Sequence, residues 1–138
     1  MELGLVIYTD GACHVTTRIG GIGVVFTKDN KLISSYNKQF TNVTNNQMEL
    51  LAVMYALSAI KDTDSVTIYS DSQYVLSCIT KGWKRKKNVK LWHKFDEVYK
   101  LALNKCPNIK FEWVKGHNDS IFNNMADKLA VEASNFIC

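Results

Sequence analysis

The sequence predicts an α/β fold: a mixed five-stranded sheet, three antiparallel strands followed by parallel ones, flanked by helices. Two runs read as central strands, Leu5 to Asp10 and Val66 to Asp71, and each ends on an aspartate followed by Gly or Ser. The first, from Leu3 to Thr9, is apolar without alternation, as a strand covered on both faces is. Gly20-Gly21-Ile22-Gly23 opens a second strand through Phe26. The polar turn Lys28-Asp29-Asn30-Lys31 then leads into a third, Leu32 to Phe40, so the first three strands form an antiparallel meander. Strand and helix periodicities alternate after that, giving the order βββαβααβα.

A helix capped by Thr44 or Asn45 follows the meander, with Met48, Leu51, Ala52, Tyr55 and Ala59 as its apolar stripe. After the strand ending at Asp71, Ser70-x-x-Gln73 resembles a capping box for a short helix through about Ile79. A further amphipathic helix places Leu91, Phe95, Val98 and Ala102 on one side. Ile109, Phe111 and Trp113 alternate with Lys110 and Glu112 in a last strand, and the closing helix directs Met125, Leu129, Ala133 and Phe136 toward the core.

At 138 residues the chain reads as one domain, residues 1–138, long enough for a real core. No apolar run approaches the roughly 20 residues needed to span a bilayer. The first residues lack a basic stretch followed by a hydrophobic one, and the four cysteines (Cys13, Cys78, Cys106, Cys138) have no metal-ligand spacing. The expectation is therefore a cytoplasmic protein with separate reduced thiols and no membrane partner. The net charge of +4 is unevenly placed, because Lys81, Lys84, Arg85, Lys86, Lys87 and Lys90 form a basic segment without acidic residues. Such a segment serves as a solvated loop or as a contact for a polyanion backbone. The flanking Trp83 and Trp92 favour the second reading.

Asp10, Glu49, Asp71 and Asp127 are the candidates for chemistry. In parallel sheets, ligands gather beyond the carboxyl ends of the strands, where Asp10 and Asp71 are expected. Glu49 shares its helix face with apolar Val53, Ala56 and Ile60, which makes its carboxylate costly unless compensated. Asp10 and Asp71 are also residues that turns and caps use, and Glu49 suits a helix start electrostatically. Asp127 lies inside a helix beside Ala126 and Ala130, where capping does not explain it. Carboxylates placed together repel, and divalent cations relieve that repulsion, so the set suggests a magnesium-type site. His117, in Lys115-Gly116-His117-Asn118-Asp119, is either a solvated loop residue or an accessory to that site. His14 and His93 read as structural or incidental.

Four blocks carry a family resemblance: Tyr8-Thr9-Asp10-Gly11-Ala12-Cys13, Thr44-Asn45-Asn46-Gln47-Met48-Glu49-Leu50, Ser70-Asp71-Ser72-Gln73-Tyr74-Val75 and Trp113-Val114-Lys115-Gly116-His117. They closely resemble, in order, the signature blocks of type 1 ribonuclease H, and the likeness covers essentially the whole chain. The resemblance implies a ribonuclease H-like fold. It also implies an endonuclease that hydrolyses the RNA strand of RNA–DNA hybrids, leaving 3′-hydroxyl and 5′-phosphate ends. In the family, residues matching Asp10, Glu49, Asp71 and Asp127 hold two Mg2+ or Mn2+ ions around the scissile phosphate. One prepares the attacking water, the other stabilises the leaving oxygen, and they lie roughly 4 Å apart. His117 matches a histidine that assists proton transfer and product release. Asn45, Asn46 and Gln73 match residues that reach the minor groove, and Thr44 and Asn88 match residues that grip a phosphate of the DNA strand. The expected state is a monomer.

The departures are local. Val15-Thr16-Thr17-Arg18 replaces the common Asn-Pro-Gly element, so Thr16 stands where an asparagine contacting RNA is usual. Only Lys84-Arg85-Lys86-Lys87 joins Gly82-Trp83 to Asn88-Val89, where many relatives carry a longer basic protrusion with an extra helix. A binding module without catalysis, or another two-metal nuclease of the same fold such as a resolvase or transposase, are the competing readings. The intact carboxylate set argues against the first. The Thr44–Leu50 block and the lack of extra domains argue against the second.

Overall fold

A computed structural model describes residues 4–61, 63, 65–82, 84–114 and 120–135. Within them, the elements follow the expected order. β1 (Leu5–Cys13), β2 (Ile19–Lys28) and β3 (Lys31–Thr41) are followed by α1 (Asn45–Ser58), β4 (Val66–Ser70), α2 (Gln73–Thr80), α3 (Val89–Lys105), β5 (Ile109–Trp113) and α4 (Ile121–Asn135). The five strands form one sheet in the order β3-β2-β1-β4-β5. β1–β2 and β2–β3 are antiparallel, while β1–β4 and β4–β5 are parallel. Asp29 and Asn30, both left-handed at φ 52° and 63°, make the two-residue turn between β2 and β3. Short polar side chains tolerate that conformation, and its twist matches a hairpin.

α1 is enclosed rather than amphipathic. Leu50, Val53, Ala56 and Leu57 are buried along with the expected Met48 and Ala52, whereas Leu51, Tyr55 and Ala59 are only half-buried. The single stripe expected from the sequence is corrected because α1 packs on β1, β2 and β4 and is covered by α3. A helix apolar on all sides is one the core surrounds. Each fully buried Leu or Val there stabilises the fold by about 1.5–3 kcal/mol relative to exposure. Thr44 caps α1 by a reciprocal box. Its hydroxyl accepts from the Gln47 N–H at 3.2 Å, and its own N–H donates to the Gln47 amide oxygen at 2.9 Å. Such a cap contributes about 1 kcal/mol.

Three other expectations change. The cap of α2 is Ser72, whose hydroxyl accepts from the Val75 N–H at 3.2 Å. Ser70 instead finishes β4, fully buried, and its hydroxyl accepts from the Ser72 N–H. Trp92 does not present a face to a polyanion. It sits in the core at 1% exposure, and its indole N–H donates to the Tyr74 hydroxyl at 3.3 Å. The inward stripe of α4 is Asn123, Ala126, Ala130 and Ala133, while Met125 and Leu129 are half-buried and Phe136 lies outside the described residues.

The α4 stripe has a simple cause in β2. A methyl group at Gly21 would meet Ala130 and Ala133, and one at Gly23 would strike the backbone of Ala126 and Ala130. Small residues on both surfaces let the helix lie directly on the strand. Gly20, pointing the other way, faces Met48 of α1. α1 and α4 therefore cover opposite faces of the sheet. No helix among the described residues is long and apolar enough to cross a membrane.

Candidate active site

Asp10 does not end its strand. β1 continues to Cys13, and Asp10 stands opposite Gly23 of β2. What ends there is the parallel ladder, whose last pair is Tyr8 with Tyr69. The Thr9 hydroxyl extends the join by donating to the Tyr69 carbonyl at 2.8 Å. Asp71 follows the last residue of β4, as expected. Both aspartates thus lie at the carboxyl end of one parallel strand pair, where α/β sheets place their ligands.

Two helices complete the group through two glycines. The start of α1 crosses Gly11 so closely that a Cβ there would strike the backbone of Met48 and Glu49. That approach brings Glu49 to Asp10. On the opposite face, α4 rests on Gly23, the cross-strand partner of Asp10, and brings Asp127 close enough to act on the Asp10 carboxyl, although it stands outside the tight group of the other three. Oxygen atoms of Asp10, Glu49 and Asp71 lie within 4.8 Å of one another.

The electrostatics follow from that crowding. Burial first, then the neighbouring Asp127 carboxyl and the charge of Asp71, push the Asp10 carboxyl from its ordinary 3.8 up to about 8. The Gly11 N–H, donating to Asp10 Oδ1 at 2.9 Å, opposes the shift. Burial, then the charges of Asp10 and Asp71, hold Glu49 well above its usual range. Among the described residues no lysine or arginine forms an ion pair with these groups. Glu49 Oε1 is buried and has no hydrogen-bond partner among the described residues. A buried carboxylate oxygen left unpartnered is costly, and oxygen donors converging at this spacing suit a hard divalent cation. The residues present therefore fit a metal centre.

The remaining candidates surround this group or lie elsewhere. Asn45 and Asn46 are exposed at the start of α1 beside Thr44, and Gln73 is exposed at the start of α2, two residues after Asp71. Asn88 is half-buried before α3 in left-handed conformation, φ 59°, and its Oδ1 accepts from Gln47 Nε2 at 3.1 Å. It borders a cavity of about 640 Å3 between the starts of α1 and α3, away from the carboxylates. Lys84, Lys86 and Lys87 are exposed, while Arg85 is half-buried. Thr16 is exposed in the β1–β2 loop. His117 and Trp83 lie outside the described residues.

The sequence reading named Trp113 only in the alternation of the last strand and in its signature block, without a role at the site. It is 48% exposed, and its indole N–H donates to the Asp71 carbonyl at 3.2 Å. The Val114 N–H bonds the Ser70 carbonyl at 3.0 Å, so the end of β5 braces the backbone on both sides of the β4 terminus. The reading also passed over Gly11 and Gly23 as the means of assembly. Glycine inside a strand is a signal of close backbone approach.

An α/β domain that gathers carboxylates at the carboxyl ends of parallel strands, with no lysine or arginine paired to them among the described residues, fits a divalent-cation centre. The comparisons define the class more closely. The RNase H family model matches residues 2–135. A Ribonuclease H of Clostridium botulinum is 40% identical, covering 94% of each chain, and one of Prosthecochloris aestuarii is 38% identical, covering 96% of this chain and 97% of its own. The crystal structure of LC11-RNase H1 in complex with RNA/DNA hybrid superposes with a TM-score of 0.76 at 26% identity, covering 94% of this chain and 95% of that one. The chain belongs to the RNase H family. It is accordingly a nuclease, a hydrolase of phosphodiester bonds.

Proposed function

We propose that this chain cuts the RNA strand of RNA–DNA hybrids with two divalent cations, Mg2+ or Mn2+, leaving 3′-hydroxyl and 5′-phosphate ends. The observation that carries the reading is the buried, unpartnered Glu49 oxygen within the convergent group of Asp10, Glu49 and Asp71. The hybrid substrate is supported by the similar fold of LC11-RNase H1, which was solved with an RNA/DNA hybrid. Asp10, Glu49, Asp71 and Asp127 would hold the ions. When bound, such ions supply an activated water at neutral pH and charge stabilisation at the attacked phosphate.

The chain's own residues do the rest. The Gly11 N–H orients Asp10, and the Trp113 indole steadies the backbone at Asp71. Asn45, Asn46 and Gln73 carry amides that both donate and accept, which suits 2′-hydroxyls and base edges in a shallow minor groove. Thr44 and Asn88 hold a phosphate of the DNA strand, and Lys84, Arg85, Lys86 and Lys87 supply positive charge nearby. His117 moves a proton near the scissile bond. His117→Ala should therefore slow turnover about ten- to a hundredfold without abolishing it, the lower range of general acid–base effects. Single-turnover rates measure this, and complete loss in a folded variant would make the histidine more central. We also propose that the chain acts as a monomer in the cytoplasm, a compartment that suits cysteines without disulfide or metal-ligand spacing.

The test is cleavage of an end-labelled RNA–DNA hybrid beside duplex RNA, duplex DNA and single strands, with each metal and with chelator. Metal-dependent cutting confined to the RNA of the hybrid, with 5′-phosphate products, is expected. Equal cutting of duplex DNA would overturn the proposal.

A further inference from the structure

The four consecutive cations of the basic segment are not equivalent. Arg85 Nη1 lies 2.9 Å from both carboxylate oxygens of Asp96 on α3, and its guanidinium lies 4.3 Å from the ring centre of buried Trp92 and 5.8 Å from that of Phe95. Trp92 in turn donates to Tyr74 on α2, the neighbour of Gln73. Arg85 thus lies on a core aromatic face with its charge answered, whereas Lys84, Lys86 and Lys87 on either side of it are exposed. The segment is bounded by two left-handed residues, Gly82 at φ 70° and Asn88 at φ 59°. Asn88 is itself tied to Gln47 by a 3.1 Å hydrogen bond.

We propose that Arg85 is the anchor of this segment rather than one of its phosphate contacts. It fastens the loop to α3 so that Lys84, Lys86 and Lys87 are held outward as a preformed, polyanion-facing surface. The proposal rests on the hybrid-binding reading above. A guanidinium can stack flat on an aromatic ring and pair with a carboxylate at the same time, and a lysine ammonium cannot do both in that way. Holding three flexible lysines on a fixed backbone lowers the ordering cost when a phosphate backbone binds. The short segment then acts as a fixed clamp without the helix of a longer protrusion.

The sign of one substitution separates anchor from contact. Asp96 is 53% exposed, so Asp96→Asn leaves the fold intact. Simple charge counting says that losing an acidic group beside a basic patch tightens polyanion binding. Loss of the anchor says that binding weakens.

Hybrid affinity is measured in chelator, where no strand is cut, across a series of salt concentrations. Lys84→Ala/Lys86→Ala/Lys87→Ala should lower the slope of log affinity against log salt by about two to three, at roughly 0.9 per phosphate neutralised. Arg85→Met should leave that slope unchanged. Asp96→Asn should weaken binding about two- to fivefold, the worth of an exposed ion pair, and Asp96→Glu should restore it. Tighter binding by Asp96→Asn, or a slope reduced by about 0.9 in Arg85→Met, would overturn the anchor role. An unchanged slope in the triple lysine variant would overturn the surface itself. Cleavage of the hybrid by the unaltered protein, assayed alongside, tests the proposed function separately from all of these.

Discussion

Asp10 is held in a state that only a cation makes comfortable. Its carboxyl is 5% exposed and has been pushed from 3.8 to about 8, chiefly by burial and then by its carboxyl neighbours Asp127 and Asp71. The crowding that a proton on Asp10 relieves is also relieved by a cation, so protons and metal compete for the same oxygens. The consequence for metal-free stability has a definite sign. Below about pH 4 Asp10 is protonated in both the folded and the unfolded chain, and its favourable contribution is complete. Between about 4 and 8 the folded protein keeps a proton that the unfolded chain releases, so stability falls as pH rises. Above about 8 the contribution is gone. Glu49, shifted in the same direction, steepens the fall. Thermal melts in chelator should therefore show Tm dropping from pH 5 to 8, and Asp10→Asn should flatten the curve, raise Tm at neutral pH and abolish cleavage. Losing one ligand of a catalytic ion should cost several kcal/mol of transition-state stabilisation. Near-normal cleavage by Asp10→Asn would remove Asp10 from the chemistry.

At the scale of elements, two helices reach the sheet because four strand residues, Gly11 and Gly20 under α1 and Gly21 and Gly23 under α4, have no side chain. Gly23→Ala should push α4 off β2 by inserting a methyl against the backbone of Ala126 and Ala130. Overpacking of this kind costs about 1–3 kcal/mol, and activity should fall beyond what the lost stability explains, because Asp127 retreats from Asp10. Gly82→Ala is the control. Its Cβ would meet nothing within 4 Å, and only the left-handed backbone at φ 70° is strained. Stability should therefore drop by about 1 kcal/mol with turnover unchanged. Denaturant melts and cleavage rates on both variants check this, and equal losses of activity would show that α4 placement does not matter. The same contrast explains what was legible in the sequence. Glu49 and Asp127 stood out because each breaks the pattern of its own helix, a carboxylate among apolar or alanine neighbours. The inward face of α4 was misread because periodicity ranks residues by hydrophobicity. Packing on Gly21 and Gly23 instead rewards small size, so Ala126 and Ala130 turn inward ahead of Met125 and Leu129. Ser70 and Ser72 are both competent caps, and only the length of β4 chooses between them.

Across the whole molecule, the parts proposed to cut and the parts proposed to read share the same helix starts. α1 begins with Asn45 and Asn46 and one turn later supplies Glu49, and α2 begins with Gln73 just after Asp71. α1 starts over Gly11, next to Asp10, and α2 starts at the end of β4, next to Asp71, so on the proposed reading a duplex seated for cleavage would lie against the amides as well. Charge is placed elsewhere, on the segment before α3. This separation predicts two independent kinds of damage. Positive charge cannot distinguish RNA from DNA, since both backbones carry the same phosphates, whereas amides can bond a 2′-hydroxyl that DNA lacks. Asn45→Ala or Gln73→Ala should therefore lower hybrid cleavage about two- to tenfold, the worth of one hydrogen bond, and leave the salt slope of binding unchanged. The lysine variants should do the reverse, lowering the slope while cleavage of saturated substrate changes little. Rates at saturation and salt titrations on both sets decide the matter. If Asn45→Ala and Gln73→Ala each cut the hybrid at the full rate, the reading of the helix starts as the discriminating surface fails, because selectivity would then have to reside in residues other than these.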